Sequence, residues 1–230
     1  MIDFSYVFSI LPKVAEALPT TFLITLLSFV IGLMIAFLLA FLRIRNRPVS
    51  GKIAAGFISF MRGVPEIVLL FLLYFGLPQL LQKIGIDVGN WNKLIFIVAA
   101  FSFNISSFLS EVLRSSYLSV DRGQQEAAYS IGMTGPQAFR RILLPQAFAV
   151  ALPNLNNTVV ILFKDTSLAF TIGVMDLIGK AKVIGARSYG TKQLELYVCV
   201  AILYWIVCFL LEKLSGLFER IHKKGLNKIA

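Results

Sequence analysis

An all-α integral membrane protein is the fold class this sequence predicts, on three observations. Of 230 residues, 57% are hydrophobic and 15% charged, with mean hydropathy +0.80. A soluble domain of that length carries more charge and less apolar content. Apolar stretches recur at the length of about 20 residues that a helix needs to cross a bilayer. Finally, the basic residues flank those stretches, so the net charge of +10 reads as membrane orientation and not as a nucleic-acid footprint.

The elements follow in order. Residues 1–19 hold Asp3, Lys13 and Glu16 and no positively charged leader, unlike a cleaved signal peptide. A first span is predicted over 20–42. Arg43, Arg45, Arg47, Lys52 and Arg62 follow with no acid among them, which places the N-terminus outside and this loop in the cytoplasm. A second span, 63–81, is punctuated by Pro65, Gly76 and Pro78, and 82–93 is an exterior loop. The third, 94–113, carries Asn104, Ser107, Glu111 and Arg114 on one helical face. Such a stripe lines a pore or bonds to a neighbouring helix, since lipid leaves it unsatisfied. Glu111 and Arg114 are spaced to pair.

A fourth span, 146–163, is expected to break at Pro153 and leads into Lys164-Asp165-Thr166-Ser167-Leu168. Residues 169–194 are less apolar, with four glycines, and read as an exterior helix or scoop. A fifth span, 196–214, holds Cys199 and Cys208 as packing residues. Lys213, Arg220, Lys223, Lys224 and Lys228 then put the C-terminus in the cytoplasm. Basic residues divide 14 inside to 8 outside, although Lys164, Lys180, Lys182, Arg187 and Lys192 oppose the trend. An acidic partner surface and late translocation both accommodate that exception. The whole of 1–230 reads as a single transmembrane domain.

Between the third and fourth spans, 121–145 is polar and helix-prone. Asp121 with Gln124, and Thr134 with Gln137, have capping-box spacing, and Gly132 stands between them where a left-handed turn ends a helix. The prediction is a helix–glycine–helix elbow, a rigid handle for another protein.

Glu126-Ala127-Ala128, Gly132 and Ile142-Leu143-Leu144-Pro145 read EAA-x3-G-x9-I-x-L-P. This resembles the cytoplasmic EAA loop of permease subunits of bacterial ABC importers. Arg62-Gly63-Val64-Pro65, Tyr74 to Pro78 and Lys164 to Leu168 resemble signals of the polar amino-acid branch, while Glu66 stands where an apolar residue is expected. The resemblance implies a plasma (inner) membrane permease of five transmembrane helices with a cytoplasmic coupling helix. Its implied partners are a second permease subunit, identical or not, a cytoplasmic ABC ATPase dimer and an extracytoplasmic solute-binding protein. Glu126, Ala127, Ala128 and Gly132 would meet the ATPase, which would bind ATP and magnesium. The segment from Ser167 to Tyr197 points toward L-cystine among polar amino acids.

Other chemistry is excluded. Gly173 to Lys180 has five residues before its Gly-Lys pair and Ala181 after it, so it fails as a phosphate loop. A single histidine, His222, and two cysteines build no catalytic triad or metal set, and no cofactor is expected in this chain. An amino-acid substrate presents an ammonium and a carboxylate. Asp165 and Lys164 are candidates to meet them, helped by Thr166, Ser167, Asn104 and Ser107. Structural ion pairs to neighbouring helices are the alternative for Lys164 and Asp165. A membrane scaffold or receptor that uses the elbow only for docking is the alternative for the protein.

Overall fold

Helix is the only regular structure among the residues that the computed structural model describes: 2–45, 48–187 and 189–226, with side chains as far as Glu219. Arg47, Lys228 and the side chains of Arg220, His222, Lys223 and Lys224 lie outside them. Among the described residues, four helices are long and apolar enough to cross a membrane, and one bent pair makes a fifth.

Helix α1 (Phe4–Ala15) is too short to span and is amphipathic. Asp3 caps it, accepting from the Tyr6 amide at 3.1 Å, and Val7, Ile10 and Val14 are buried at helical spacing. Helix α2 (Leu18–Ile44) covers the predicted first span. Its buried face is a run of small residues, Thr21, Thr25, Ser28, Gly32 and Ala36. Small residues let two membrane helices approach closely, which matters where lipid removes the hydrophobic drive.

Helices α3 (Ser50–Gly63) and α4 (Glu66–Gln82) meet at a bend of 107°. The cause is local. Pro65 excludes the helical region for the residue before it, and Val64 is extended at φ −105°, ψ 131°. Helix α3 therefore turns across the base of α4, seating Ala54 and Ile58 on Leu39 of α2.

Helix α5 (Lys93–Leu118) packs against α2 in the largest contact of the fold. Several of its hydroxyls stay within the helix: Ser106, Ser107 and Ser110 donate to carbonyls three residues back at 2.7–2.8 Å. Helix α6 (Arg122–Ser130) follows, and then α7 (Gly135–Ile172), 38 residues long. The predicted break at Pro153 does not occur, since the chain is helical through it from Leu144 to Asp165. Proline forfeits one backbone hydrogen bond, but a continuous helix satisfies the remainder, as a bilayer requires.

Two π-turns, Leu72–Gly76 in α4 and Phe139–Leu143 in α7, share one explanation. Each precedes a proline, Pro78 or Pro145, whose ring would strike the carbonyl four residues back. Those carbonyls, on Tyr74 and Arg141, sit at the centres of the π-turns, where widening to i+5 bonding makes room. Helix α7 tightens to 3₁₀ geometry over Thr166–Ile172. Helices α8 (Leu177–Arg187) and α9 (Gln193–Leu226) complete the chain.

One core cluster joins α2, α4, α5 and α7 around Ile24, Leu70, Phe101, Leu109 and Leu162. A second joins α1, α7, α8 and α9 around Val7, Val14, Phe163, Leu177 and Cys199. Both cysteines are free.

The basic stretch that opposes the charge rule finds acids within the chain. Lys180 pairs with Glu16 at 2.7 Å, and Lys192 with Asp3 at 3.1 Å. Lys182 lies over the Phe170 ring at 4.0 Å. The amide of Tyr6 and then Lys192 hold the Asp3 carboxyl below its ordinary value, and Lys180 does the same for Glu16. Helix α1 is thus a strap fastened over α8 and α9 by packing and by two ion pairs.

Candidate functional site

A cavity of about 290 Å³ opens where three elements converge. The α3–α4 bend contributes Met61, Arg62, Val64 and Glu66. Helix α5 contributes Asn104, Ile105 and Phe108, and α7 contributes Thr158, Ile161, Leu162 and Asp165. The bend makes the site possible, because it brings Arg62 and Glu66, on two different helices, into one wall.

The charged groups are of both signs. The Glu66 and Asp165 carboxyls both line the cavity and stand as neighbours in its wall. The Arg62 guanidinium lies 5.4 Å from the centre of the Phe108 ring. Asn104 donates to the Met61 carbonyl at 3.3 Å, which ties α5 to the bend. Thr158 donates back to the Asn154 carbonyl at 2.7 Å and keeps its lone pairs for the cavity.

Of the residues predicted for substrate, Asn104 and Asp165 come together here. Ser107 does not; it is fully buried, its hydroxyl given to the Asn104 carbonyl at 2.7 Å. Thr166 is also fully buried and donates to the Phe163 carbonyl at 2.7 Å. Lys164 and Ser167 do not line the cavity, and Lys164 is exposed on another side of α7. The reason is helix phase: Lys164 is turned about 100° from Asp165, in this case to the exposed side of α7. Arg62, Glu66 and Thr158 were not among the predicted site residues. A signal existed for Thr158, which with Ile161, Leu162 and Asp165 forms an i, i+3, i+4, i+7 face.

Beyond Phe108, one turn along α5, Glu111 holds two arginines. It pairs with Arg114 at 2.9 Å, as its spacing predicts, and with Arg43 at the end of α2.

The elbow is formed by α6 and the start of α7. Asp121 caps α6 by accepting from the Gly123 amide at 2.6 Å. The capping box predicted with Gln124 does not close. The Gln124 side-chain oxygen instead accepts from Gln146 at 3.4 Å, bracing the elbow against α7. The second box is present, and the Thr134 amide donates to Gln137 at 2.9 Å. Gly132 has φ +81°, and the amides of Gly132 and Met133 return to the carbonyls of Tyr129 and Ala128. This is a Schellman stop, which favours glycine because a Cβ resists that conformation. Glu126 and Ala127 are exposed, whereas Ala128 is buried within the chain itself. Ile131 is 73% exposed at the tip.

Residues 28–221 match the family described as "Binding-protein-dependent transport system inner membrane component". The chain is 40% identical to the L-cystine transport system permease protein TcyL of Bacillus subtilis, over 99% of this chain and 94% of that one. It is 31% identical to the glutamate/aspartate import permease protein GltK of Escherichia coli, over 95% and 97%. Among solved structures, an amino acid ABC transporter crystallised with histidines superposes with TM-score 0.83 at 30% identity, covering 96% of this chain and 99% of that one. The MetNI methionine ABC transporter, at 20% identity and TM-score 0.66, shares the fold. With its helices, its cavity and its elbow, the chain therefore belongs to the binding-protein-dependent transport system inner membrane components, as a multi-pass permease subunit of an amino-acid ABC importer.

Proposed function

We propose that this chain carries L-cystine or a closely similar polar amino acid, and that the α3–α4–α5–α7 cavity is where it meets its cargo. The observation that carries the reading is the mixed charge of that cavity. Arg62 answers a carboxylate, Asp165 answers an ammonium, and Asn104 and Thr158 add neutral polar groups. Arg62 takes the role that spacing first suggested for Lys164. The volume is at the small end of the ~300–1,000 Å³ usual for ligand pockets, which suits a single amino acid. The 40% identity to an L-cystine permease supports the choice of cargo. A docking scaffold has no use for charges held in such a cavity.

In this reading a second permease subunit completes the path. An extracytoplasmic solute-binding protein delivers the amino acid at the α8 end, with the N-terminus outside and the C-terminus cytoplasmic. Two ATPase subunits, which hold ATP and magnesium, dock on the elbow. Exposed Glu126 and Ala127 and the apolar tip at Ile131 offer the contact, and Gly132 sets its angle.

Uptake of labelled L-cystine by cells lacking the chain, restored with wild type or Asp165→Asn, tests the proposal. Asp165→Asn is expected to abolish uptake while the ATPase still co-purifies. Equal loss of uptake and assembly would instead make Asp165 a tie between helices, and unchanged uptake would remove it from the path.

A further inference from the structure

We infer that Arg43, Arg62 and Arg114, gathered around Glu111, form a second carboxylate-binding station that receives the outgoing amino acid between the cavity and the cytoplasm; this rests on the cavity being the amino-acid site. Three guanidiniums stand around one carboxylate. Arg114 places Nε and Nη2 on the Glu111 Oε2 at 3.0 and 2.9 Å, and Arg43 pairs with Oε1. Arg43 also lies close enough to Arg114 and Arg62 for their charges to oppose its own. Among the described residues, Glu111 is the only acid in ion-pair contact with any of the three.

That is more positive charge than a tie between helices calls for. One arginine on Glu111 would fasten α2 to α5, which are already packed along their length. Further guanidiniums crowd like charge into a site that water reaches only in part. Each also has more donors than it spends on Glu111. A second carboxylate balances the charge and meets those donors, since the guanidinium fork matches carboxylate geometry. The side chains of Arg43, Glu111 and Arg114 are 26%, 23% and 30% exposed, so the cluster is open to an arriving ligand.

The cluster is also continuous with the cavity. Arg62 belongs to the cavity wall and to the electrostatic surroundings of Arg43. Glu111 follows Phe108, another wall residue, by about 4.5 Å along α5. In the orientation proposed above, α2 ends and α5 descends on the inner side, so a carboxylate that leaves Arg62 meets Arg43 and Arg114 next. Glu111 has a part in release. It offsets one of the positive charges, and a transit site must bind weakly enough to let go.

The test uses the assembled permease–ATPase complex in phosphatidylcholine nanodiscs, without nucleotide or binding protein. Arginines are modified with phenylglyoxal in the presence and absence of L-cystine and mapped by mass spectrometry. Cystine is expected to slow modification of Arg62, Arg43 and Arg114 severalfold and to leave exposed Arg45 and Arg122 unchanged. Protection confined to Arg62 overturns the inference while the cavity reading stands; protection of none of the three defeats the cavity as the L-cystine site as well. Phosphatidylglycerol that protects Arg43 and Arg114 without cystine makes the cluster a lipid headgroup site and overturns the inference too. Equilibrium binding of labelled L-cystine then supplies a sign. Arg114→Gln is expected to weaken it about tenfold, the loss of a charged hydrogen-bond donor. Glu111→Gln frees both guanidiniums and is expected to tighten it about threefold or more. A purely structural tie is broken by either change and has no reason to move them in opposite directions, so weaker binding by Glu111→Gln overturns the inference. The protection measurement on wild type needs no variant and decides alone if Glu111→Gln fails to assemble.

Discussion

Gly32 is the point at which the bundle tolerates least. It faces α5, and a Cβ added to it would collide with the Ile105 Cγ2 and stand 3.1 Å from the Ser102 carbonyl oxygen. Neither neighbour yields easily. Ile105 is β-branched and 5% exposed, and the Ser102 oxygen is backbone. Ser102 also donates to the Ser28 carbonyl at 3.3 Å, which fixes the distance between the helices. Overpacking of this kind costs about 1–3 kcal/mol. For a chain of this length each kcal/mol moves Tm by about 2–4 °C, so Gly32→Ala is expected to lower it by roughly 2–12 °C. The control is Gly56→Ala on α3, where an added Cβ meets nothing within 4 Å. There the same chemical change should stabilise, by roughly 0.5–1 kcal/mol, because alanine loses less freedom in a helix. A thermal-shift assay on the purified complex reads both signs. Ile105→Ala opens space for the new methyl, so the double variant should be more stable than the sum of the singles by about 0.5–3 kcal/mol. Equal Tm changes at Gly32 and Gly56, or strict additivity with Ile105→Ala, would refute the close approach. Because Ile105 also lines the cavity, Gly32→Ala should weaken amino-acid binding as well.

Gly132→Val is expected to leave the chain in the membrane but to abolish uptake and substrate-stimulated ATP hydrolysis, since valine resists φ near +81°; normal values of both would remove the elbow from coupling. The strap should respond to acid. The carboxyls of Asp3 and Glu16 are held below their ordinary values, so their ion pairs contribute fully above about pH 4–5, the unfolded range, and are lost as pH falls through the lowered folded values. Hydrogen exchange of the α1 amides should therefore accelerate between neutral pH and about pH 3 beyond the intrinsic pH effect, and less so in Lys180→Gln/Lys192→Gln, which has already lost the pairs. Thiol labelling from outside should reach Asn90→Cys and spare Arg45→Cys; labelling of both would refute the five-span topology.

Which parts of this fold a sequence discloses depends on how local their causes are. The long spans follow from runs of apolar residues, and the Schellman turn at Gly132 from a few adjacent residues. The pairing of Glu111 with Arg114 lies within one helical turn. The site is different. Arg62 and Glu66 are four residues apart, yet a bend of 107° decides that both face Asp165, a hundred residues away. Lys164 looked as suitable as Asp165 until helix phase separated them. Pro153 looked like a break because proline breaks soluble helices, and the bilayer's demand for satisfied backbone overrides that tendency. Helix α1 escaped notice because its apolar face becomes legible only against α8 and α9. The small-residue face of α2 was readable all along, at spacings of four, three, four and four, though hydropathy alone conceals it.

The unbroken run of α7 from Gly135 to Ile172 makes it a lever. From the elbow to Asp165 is 30 residues, or about 45 Å of rod at 1.5 Å per residue. A tilt of about 5° pivoted at the elbow would carry the Asp165 end sideways by about 4 Å over that length. That is the width of a side chain, enough to part Asp165 from Glu66 or press them together. The π-turn at Phe139–Leu143 is the soft place in the rod, just beyond the handle, and a stiffer turn there would transmit more of each stroke to the far end.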